Sequence, residues 1–336
     1  MISKRESIIV SAPEGYLDEG LFGRVFLWIF DVLPYLQKRD VYPLWRIPSS
    51  LYGYGDNNII IPGVLDLAYA PPKSPAREVS LVDLRNRHCR QLGPDWQAAH
   101  ALWSDYFRVP PRVQDRVEAL PINRRTLGLH FRGSDKGSAS WDTNPISRTE
   151  MVEIVLDFLR SRPAFDAIFL ATDEPEFIDV LQAHCPIKIL GLGVGQHHKG
   201  TSSARRCNYD IADQAVADSL ALSRCGAVLL TSSALSAFAK VFNPNLEIYR
   251  CAASKMLHDG PYFPVAYIPV YSSDNPRCQA ILKRTLADDW STSPRATPYL
   301  KKFTSRVNWT WRYKAFKRAV KEKILGRAEG RPLDFA

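Results

Sequence analysis

Apolar and polar residues follow a regular pattern in the second half of this chain. From Thr126 onward, apolar runs of strand length alternate with segments whose apolar residues recur at helical spacing. The predicted strands are TLGLHF, DAIFLAT, IKILGL, AVLLT and LEIYR, and the predicted helices between them are SRTEMVEIVLDFLRSR, EPEFIDVLQAHC, DIADQAVADSLALSRC and ALSAFAKVF. Strands separated by helices of this length predict a parallel sheet covered on both faces, as in a Rossmann-like α/β domain.

The first 120 residues show a less regular pattern. Ile8 to Ser11 predicts a strand, and an apolar helix runs from a glycine-bearing loop to about Tyr35. NIIIPGVLDLAYAPP predicts another strand, and 78–120 predicts helical, aromatic-rich structure. Prolines before residue 122 mark a boundary, so we predict an N-terminal α/β domain, a Rossmann-like domain and a basic helical extension, over 1–120, 121–275 and 276–336.

Positive charge is concentrated near the C-terminus. The formal net charge is +9, and Tyr299–Arg327 contains ten Lys and Arg residues against Glu322 alone. The remaining chain is balanced and has no recognisable nucleic-acid-binding motif, so a nucleic-acid partner is not indicated. The basic segment also has an apolar helical stripe, which predicts either a helix docked on the body or an anchor on an anionic membrane.

Two further classes are not indicated by the sequence. No uninterrupted apolar run reaches membrane-spanning length and MISKRESIIV lacks a secretory apolar region, so we expect a cytoplasmic protein. The six cysteines are scattered, without a C-x-x-C pair or a histidine at zinc spacing. Neither a structural metal nor a disulfide framework is therefore predicted.

Candidate binding residues follow three of the predicted strands. Because the carboxyl ends of parallel strands lie at one edge of a sheet, where ligands bind in open α/β folds, we expect these residues to converge. They are His130, Arg132, Asp135 and Lys136 after the first strand, Thr172, Asp173 and Glu174 after the second, and Thr231, Ser232, Ser233 and Ser236 after the fourth.

A nucleoside diphosphate fits these residue types. The guanidinium fork of Arg132 and the helix amides near Ser232 and Ser233 suit phosphate, while Asp173 suits a ribose or base. Taken singly, Arg132 and Asp135 would be explained as a surface ion pair, and Asp173 or Ser232 as a helix N-cap. Their occurrence at three strand ends favours nucleotide binding, and no Walker lysine loop indicates an NTPase.

The same segments resemble a known family. LHFRGSDKG is similar to the H-x-R-R-T-D-K segment of the GDP-fucose-dependent fucosyltransferases of the α1,6 and nodulation type, and IFLATDEPEF is similar to their A-T-D-D-P segment. DSLALSRCGAVLLTSSALSAFAKVF resembles their closing stretch, and the three blocks occur in the family's order between Leu127 and Phe242. The resemblance implies a GT-B architecture of two Rossmann-like domains facing a cleft, the second of which binds the nucleotide sugar.

The resemblance also implies roles for individual residues. Arg132 would bind the β-phosphate and assist departure of GDP, and His130 would contact the nucleotide. Asp173 and Glu174 would hold the ribose or guanine, and Asp218 would help to fix the nucleotide. Asp135 and Lys136 match the first motif, and Ser232, Ser233 and Ser236 fall in the phosphate-binding turn.

Two departures from the family pattern concern the phosphate site. Gly133 stands where the α1,6 enzymes have a second arginine, and Glu174 replaces a second aspartate. A cation from the loop GQHHKGTSSARRCN would replace the missing charge if that loop faces the ligand; otherwise the loop is simply solvated. The candidate cations there are Lys199, Arg205 and Arg206.

The resemblance implies inverting transfer of L-fucose without a metal, and the lack of an Asp-x-Asp motif agrees with metal independence. Inversion needs a base, for which Asp142 is the first candidate and Asp18 or Glu19 are alternatives. We therefore predict a fucosyltransferase that uses GDP-fucose, requires no cofactor and acts on an oligosaccharide or lipid-linked glycan. The alternatives are transfer of another GDP-sugar, a protein acceptor, or a binding protein that has lost turnover.

Overall fold

The computed structural model describes residues 8–13, 20–55, 57–71, 77–88, 95–133, 144–193, 208–253, 265 and 268–287. Its strands are β1 (Ile8–Ser11), β2 (Leu44–Arg46), β3 (Asp66–Leu67), β4 (Arg77–Ser80), β5 (Phe107–Arg108), β6 (Thr126–Phe131), β7 (Ala167–Thr172), β8 (Lys188–Leu190), β9 (Ala227–Leu230) and β10 (Glu247–Arg250). Its α-helices are α1 (Leu27–Gln37), α2 (Leu81–His88), α3 (Trp96–Tyr106), α4 (Pro111–Glu118), α5 (Arg148–Ser161), α6 (Pro175–His184), α7 (Asn208–Arg224), α8 (Ala234–Phe242) and α9 (Pro276–Thr285).

The second half contains the predicted parallel sheet. Its five strands lie in the order β10-β9-β6-β7-β8, and every neighbouring pair is parallel. All six residues of the central strand β6 are buried, as expected for a strand with neighbours on both sides and helices on both faces. The prediction of alternating strands and helices is confirmed here.

Two apolar clusters cover the two faces of this sheet. Leu127, Leu129 and Phe131 of β6 pack with residues of α5, α6 and α9. Gly128 lies on the opposite face, where an added Cβ would meet Leu222 at the end of α7. Since side chains alternate along a strand, His130 shares this second face with Gly128.

The N-terminal half forms a smaller parallel sheet in the order β2-β1-β4, with β1 where the sequence predicts it. A π-type helical turn (Leu21–Phe26) leads directly into α1. The strand predicted over NIIIPGVLDLAYAPP is wrong: most of its described residues form turns, Asp66–Leu67 pairs antiparallel with β5, and Ile59 forms only isolated bridges to Pro48 and Tyr54. Pro62 has no N–H to donate to a neighbouring strand, so this apolar run cannot pair as one regular strand.

The helical prediction for 78–120 is correct in part. Helices α2, α3 and α4 occupy much of it, but β4 and β5 also lie at or inside its bounds. Residues 89–94 lie outside the described residues. None of the helices in the described ranges combines the length and the apolar content that a membrane span requires.

Contacts between the two halves involve α8 and α7. Phe238 of α8 packs against Phe22 and Phe26 of the π-type turn, with ring centroids 5.1 and 5.6 Å apart. On α7, Asp213 accepts hydrogen bonds from Arg112 Nε and Nη2 of α4 at 2.7 and 2.8 Å. The predicted domain limits at 120 and 275 remain predictions.

Candidate functional site

The strand order creates a topological switch point between β6 and β9, at the carboxyl ends of these two strands. The chain runs from β6 outward through β7 to β8, then returns to β9 on the other side of β6 and continues to β10. Connections after β6 and β9 therefore diverge, and in open α/β sheets such a switch point is where ligands bind. Arg132 and Gly133 follow β6, and Thr231, Ser232 and Ser233 follow β9.

Hydrogen bonds join the ends of β6, β7 and β9. The Arg132 N–H donates to Thr231 Oγ1 at 3.0 Å, and the Gly133 N–H donates to Asp173 Oδ1 at 3.1 Å. The Thr231 N–H in turn donates to the His130 carbonyl at 3.0 Å. The structure thus brings together the three segments that the sequence places at the strand ends.

His130 is a buried imidazole without a partner for one nitrogen. Its side chain lies near the end of β6, the residue is only 6% exposed, and Nδ1 has no hydrogen-bond partner among the described residues. Burial lowers the pKa of His130 to about 4, Asp173 opposes this shift, and Arg132 adds to it. The imidazole is therefore neutral near pH 7 and offers a ligand one N–H donor and one acceptor.

The turn after β9 contains a second buried polar atom without a partner. Ser232 is 3% exposed, and its Oγ has no hydrogen-bond partner among the described residues. Ser233 is the N-cap of α8, and its side chain makes no capping hydrogen bond. Ser236 Oγ instead donates to the Ser233 carbonyl at 3.3 Å.

These features create a favourable position for an anion. The first amides of a helix have no partners within the helix, and the helix dipole places partial positive charge at the same end. Here the start of α8 adjoins the buried Ser232 hydroxyl, and Arg132 follows the neighbouring strand. This combination of donors is able to bind phosphate oxygens.

Arg148 lies at the candidate site although it follows none of the predicted strands. Its Nε donates to Glu174 Oε2 at 2.7 Å, and the two side chains form an ion pair at the starts of α5 and α6. A cation in the first turn of a helix opposes the helix dipole, and this unusual placement is the signal that would have identified Arg148. Its pairing with Glu174 required the tertiary structure, because 25 residues separate them.

Asp218 lies in a different environment from the strand ends. It is 4% exposed on α7, and its Oδ1 accepts a hydrogen bond from Gln214 Nε2 at 3.0 Å. Arg116 of α4 donates to Gln214 Oε1 at 2.6 Å. Burial raises the pKa of Asp218 to about 7, and Gln214 and Arg116 lower it. In the described part of the chain, no hydrogen bond links Asp218 to the residues after β6, β7 or β9.

We expect His130 and Asp218 to change the pH dependence of stability in opposite directions. Folding lowers the pKa of His130 from 6.5 to about 4, so the unfolded chain binds more protons there and stability falls as the pH decreases. Folding raises the pKa of Asp218 from 3.8 to about 7, so the folded chain binds more protons there and stability falls as the pH increases.

His130→Gln should therefore reduce the stability lost on acidification, and Asp218→Asn should increase it. In each variant, the slope of the free energy of unfolding against pH should differ from the wild-type slope by up to about 1.4 kcal/mol per pH unit. Urea unfolding of both variants and the wild type between about pH 4.5 and 7 measures these slopes. Curves that run parallel to the wild-type curve would contradict the assignment of these protonation states.

Several predicted residues lie outside the described residues. These are Asp135, Lys136, Asp142, Asp18, Glu19, Lys199, Arg205, Arg206 and the basic segment Tyr299–Arg327. Within the described ranges, no cluster of three or more His, Cys, Asp or Glu residues is arranged to hold a metal ion.

Comparison with known proteins finds similarity only at the level of structure. No protein-family model matches the chain, and no curated protein matches it. The POFUT1 complex with GDP-fucose is 10% identical, with a TM-score of 0.42 over 71% of this chain and 94% of that chain. A mutant of Arabidopsis thaliana FUT1 in complex with GDP is 12% identical, with a TM-score of 0.41 over 74% of this chain and 71% of that chain.

NodZ alpha-1,6-fucosyltransferase soaked with GDP-fucose is 14% identical to this chain. Its TM-score is 0.38 over 71% of this chain and 92% of that chain. Overlaps as loose as these assign no activity to this chain.

Proposed function

We propose that this chain is a glycosyltransferase that transfers L-fucose from GDP-fucose to a glycan acceptor with inversion and without a metal ion. One observation carries the proposal: Arg132, the start of α8, and two buried polar groups that have no hydrogen-bond partner among the described residues all lie at the switch point of the sheet. Buried polar atoms without partners are costly, since each loses its hydrogen bonds to water. Binding of a polar ligand would remove this cost.

The arrangement suits departure of a nucleoside diphosphate. As the bond between the sugar and the β-phosphate breaks, negative charge grows on the diphosphate oxygens. Donors already fixed in place stabilise that charge without further reorganisation. We assign the β-phosphate to Arg132 and the amides at the start of α8, with Ser232 Oγ and His130 as neutral partners. Asp142 is the proposed base for the acceptor hydroxyl.

A second candidate function follows from Gly133 and Glu174. An added Cβ at Gly133 would overlap the Glu174 carboxylate, so an anion occupies space next to the proposed phosphate site. Position 133 therefore supplies no cation to stabilise charge on a departing diphosphate, and Arg148 neutralises the Glu174 carboxylate that lies there. This observation favours a GDP-sugar-binding protein without turnover as the alternative, and release of GDP from GDP-fucose distinguishes an enzyme from it.

For the acceptor we propose an oligosaccharide or a lipid-linked glycan. The chain would then act in the cytoplasm, with its basic C-terminal segment on an anionic membrane surface. The support is the charge pattern of Tyr299–Arg327, in which Glu322 is the only acidic residue.

A donor screen by thermal unfolding tests the proposal. We expect GDP and GDP-fucose to raise the unfolding temperature, because a ligand at about 100 times its Kd stabilises the folded state by about 2.7 kcal/mol. UDP and UDP-sugars serve as matched controls, since they share the diphosphate and differ in the base. Equal shifts with GDP-mannose would favour a different GDP-sugar, and no shift with GDP would exclude the proposed site.

A further inference from the structure

The main chain after β6 is held beyond the last paired residues of the sheet. The ladder with β7 ends at the pair of Phe131 and Thr172, and the ladder with β9 ends at the pair of His130 and Leu230. Past these pairs, Thr231 Oγ1 and Asp173 Oδ1 accept the N–H groups of Arg132 and Gly133. Side-chain oxygens from both neighbouring segments thus continue the sheet's hydrogen bonding by two residues.

Glu174 adds a steric contact to these hydrogen bonds. Its carboxylate lies directly against Gly133, where even a methyl group would overlap it. Arg148 Nε holds Glu174 Oε2 at 2.7 Å, and the Glu174 side chain is only 12% exposed. The Glu174 N–H also donates to Thr172 Oγ1 at 3.1 Å, which fixes the main chain from which the side chain extends.

Arg148 itself lies on a well-anchored part of the fold. It is the first residue of α5, whose N-cap Ser147 forms a reciprocal capping box with Glu150. Arg284 of α9 donates to Glu150 Oε1 at 2.5 Å and to the Pro145 carbonyl at 3.3 Å. These contacts fix the start of α5 and with it the guanidinium that faces Glu174.

We infer that Asp173, Glu174 and Arg148 are positioning residues that fix the Arg132–Gly133 main chain and act on the nucleotide through Arg132. We call these three residues the backbone clamp. The inference rests on the proposed function, in which Arg132 binds the β-phosphate. It differs from the role implied by the family resemblance, in which Asp173 and Glu174 contact the ribose or guanine directly.

The observed contacts favour the clamp over a direct nucleoside contact. Asp173 Oδ1 accepts from Gly133, and Glu174 Oε2 accepts from Arg148. Glu174 Oε1 is the atom nearest to an added Cβ at Gly133. One carboxylate oxygen of each residue is therefore already held by the main chain or by Arg148, which fixes both side chains against the Arg132–Gly133 segment. Gly133 also acquires a physical role, since any larger residue would displace Glu174.

GDP and GMP together separate the two roles. A residue that acts through Arg132 affects only ligands with a β-phosphate, whereas a residue that contacts the nucleoside affects both nucleotides. We expect Glu174→Ala and Arg148→Ala in the full chain to weaken GDP binding by about tenfold and GMP binding by less than about twofold. Isothermal titration calorimetry with each nucleotide measures these changes.

Glu176→Gln is the matched control. Glu176 lies on the same helix and contacts Arg148 at 3.4 Å, but it is 64% exposed and belongs to no described contact with Gly133. The Glu176→Gln variant should bind GDP with the same affinity as the wild type. Because Glu174 acts through Arg132, its effect should disappear once Arg132 is removed. The double variant Arg132→Ala, Glu174→Ala should therefore bind GDP almost as well as Arg132→Ala alone.

Glu174→Gln keeps the side-chain volume and tests the clamp if Glu174→Ala does not fold. It should weaken GDP binding less than Ala does, while Gly133→Ala should reproduce Glu174→Ala. Equal losses for GDP and GMP would overturn the clamp and assign the carboxylates to the nucleoside. Wild-type GDP affinity in the folded Glu174 and Arg148 variants would also overturn it. If the wild type bound no GDP, the proposed function itself would fail.

Discussion

Arg132→Ala should lower the rate of GDP release from GDP-fucose by about a hundredfold to a thousandfold. Arg132 follows β6 at the switch point, and its main-chain N–H donates to Thr231, two residues before the N-cap of α8. Removal of the guanidinium withdraws stabilisation when charge on the departing diphosphate is greatest, so the transition state loses more than the bound substrate does. Steady-state assays of GDP release, with and without glycan acceptors, measure the loss.

Arg125→Ala is the matched control for this prediction. Arg125 lies just before β6, at the opposite end of the strand, and forms an exposed ion pair with Asp166 at 2.9 Å. Its loss should leave the rate near that of the wild type, because exposed pairs contribute little. Arg132→Lys should recover only part of the rate, since an ammonium lacks the planar fork. A nearly normal rate in Arg132→Ala would refute the site.

Phe238→Ala should lower the free energy of unfolding by about 3–5 kcal/mol. Phe238 is 4% exposed, and its ring lies at the centre of an aromatic cluster formed by both halves of the chain. Its neighbours, with centroid distances of 5.1 to 5.8 Å, are Phe22, Phe26, Phe30, Trp103 and Phe242. Truncation leaves a cavity where α8 meets α1, α3 and the π-type turn, and neighbours on three elements cannot all move to fill it.

Phe242→Ala gives a matched comparison one turn later on α8. Phe242 is only partly buried and contacts Trp103 and Phe238 at the edge of the cluster. We expect Phe242→Ala to lower the free energy of unfolding by about 1–2 kcal/mol, because Phe242 buries less apolar surface on folding than Phe238 does. Urea unfolding of both variants measures the difference. If Phe238→Ala lowered the free energy of unfolding no more than Phe242→Ala does, the aromatic cluster would not be the main connection between the halves.

The second half of the fold was predictable because its sequence repeats one simple pattern. A run such as AVLLT between two helical segments has the length and the apolar character of a buried strand, and β9 forms there. In the N-terminal half, β2 and β4 have three and four residues, with exposed positions among them. Strands this short and only partly buried carry too few apolar positions to be detected without their neighbours.

For the candidate site, the sequence predicted which residues lie at the carboxyl ends of the strands. Arg132 and Ser232 follow apolar runs, and the parallel sheet places both at one edge for topological reasons. The contacts of Asp218 with Gln214 and the pairing of Arg148 with Glu174 were not predictable, because each depends on how helices pack. The sequence presents Gly133 and Glu174 as two separate departures, whereas the structure shows that they share one space.

The sequence by itself determined the parallel sheet of the second half and the identity of the residues at its carboxyl edge. Both follow from local periodicity, because side-chain burial within one strand or helix depends on its own spacing of apolar residues. Only the tertiary structure decided which polar atoms were left without partners and which carboxylate faces Gly133. Those outcomes depend on distances between side chains far apart in the chain, and local patterns do not encode such distances.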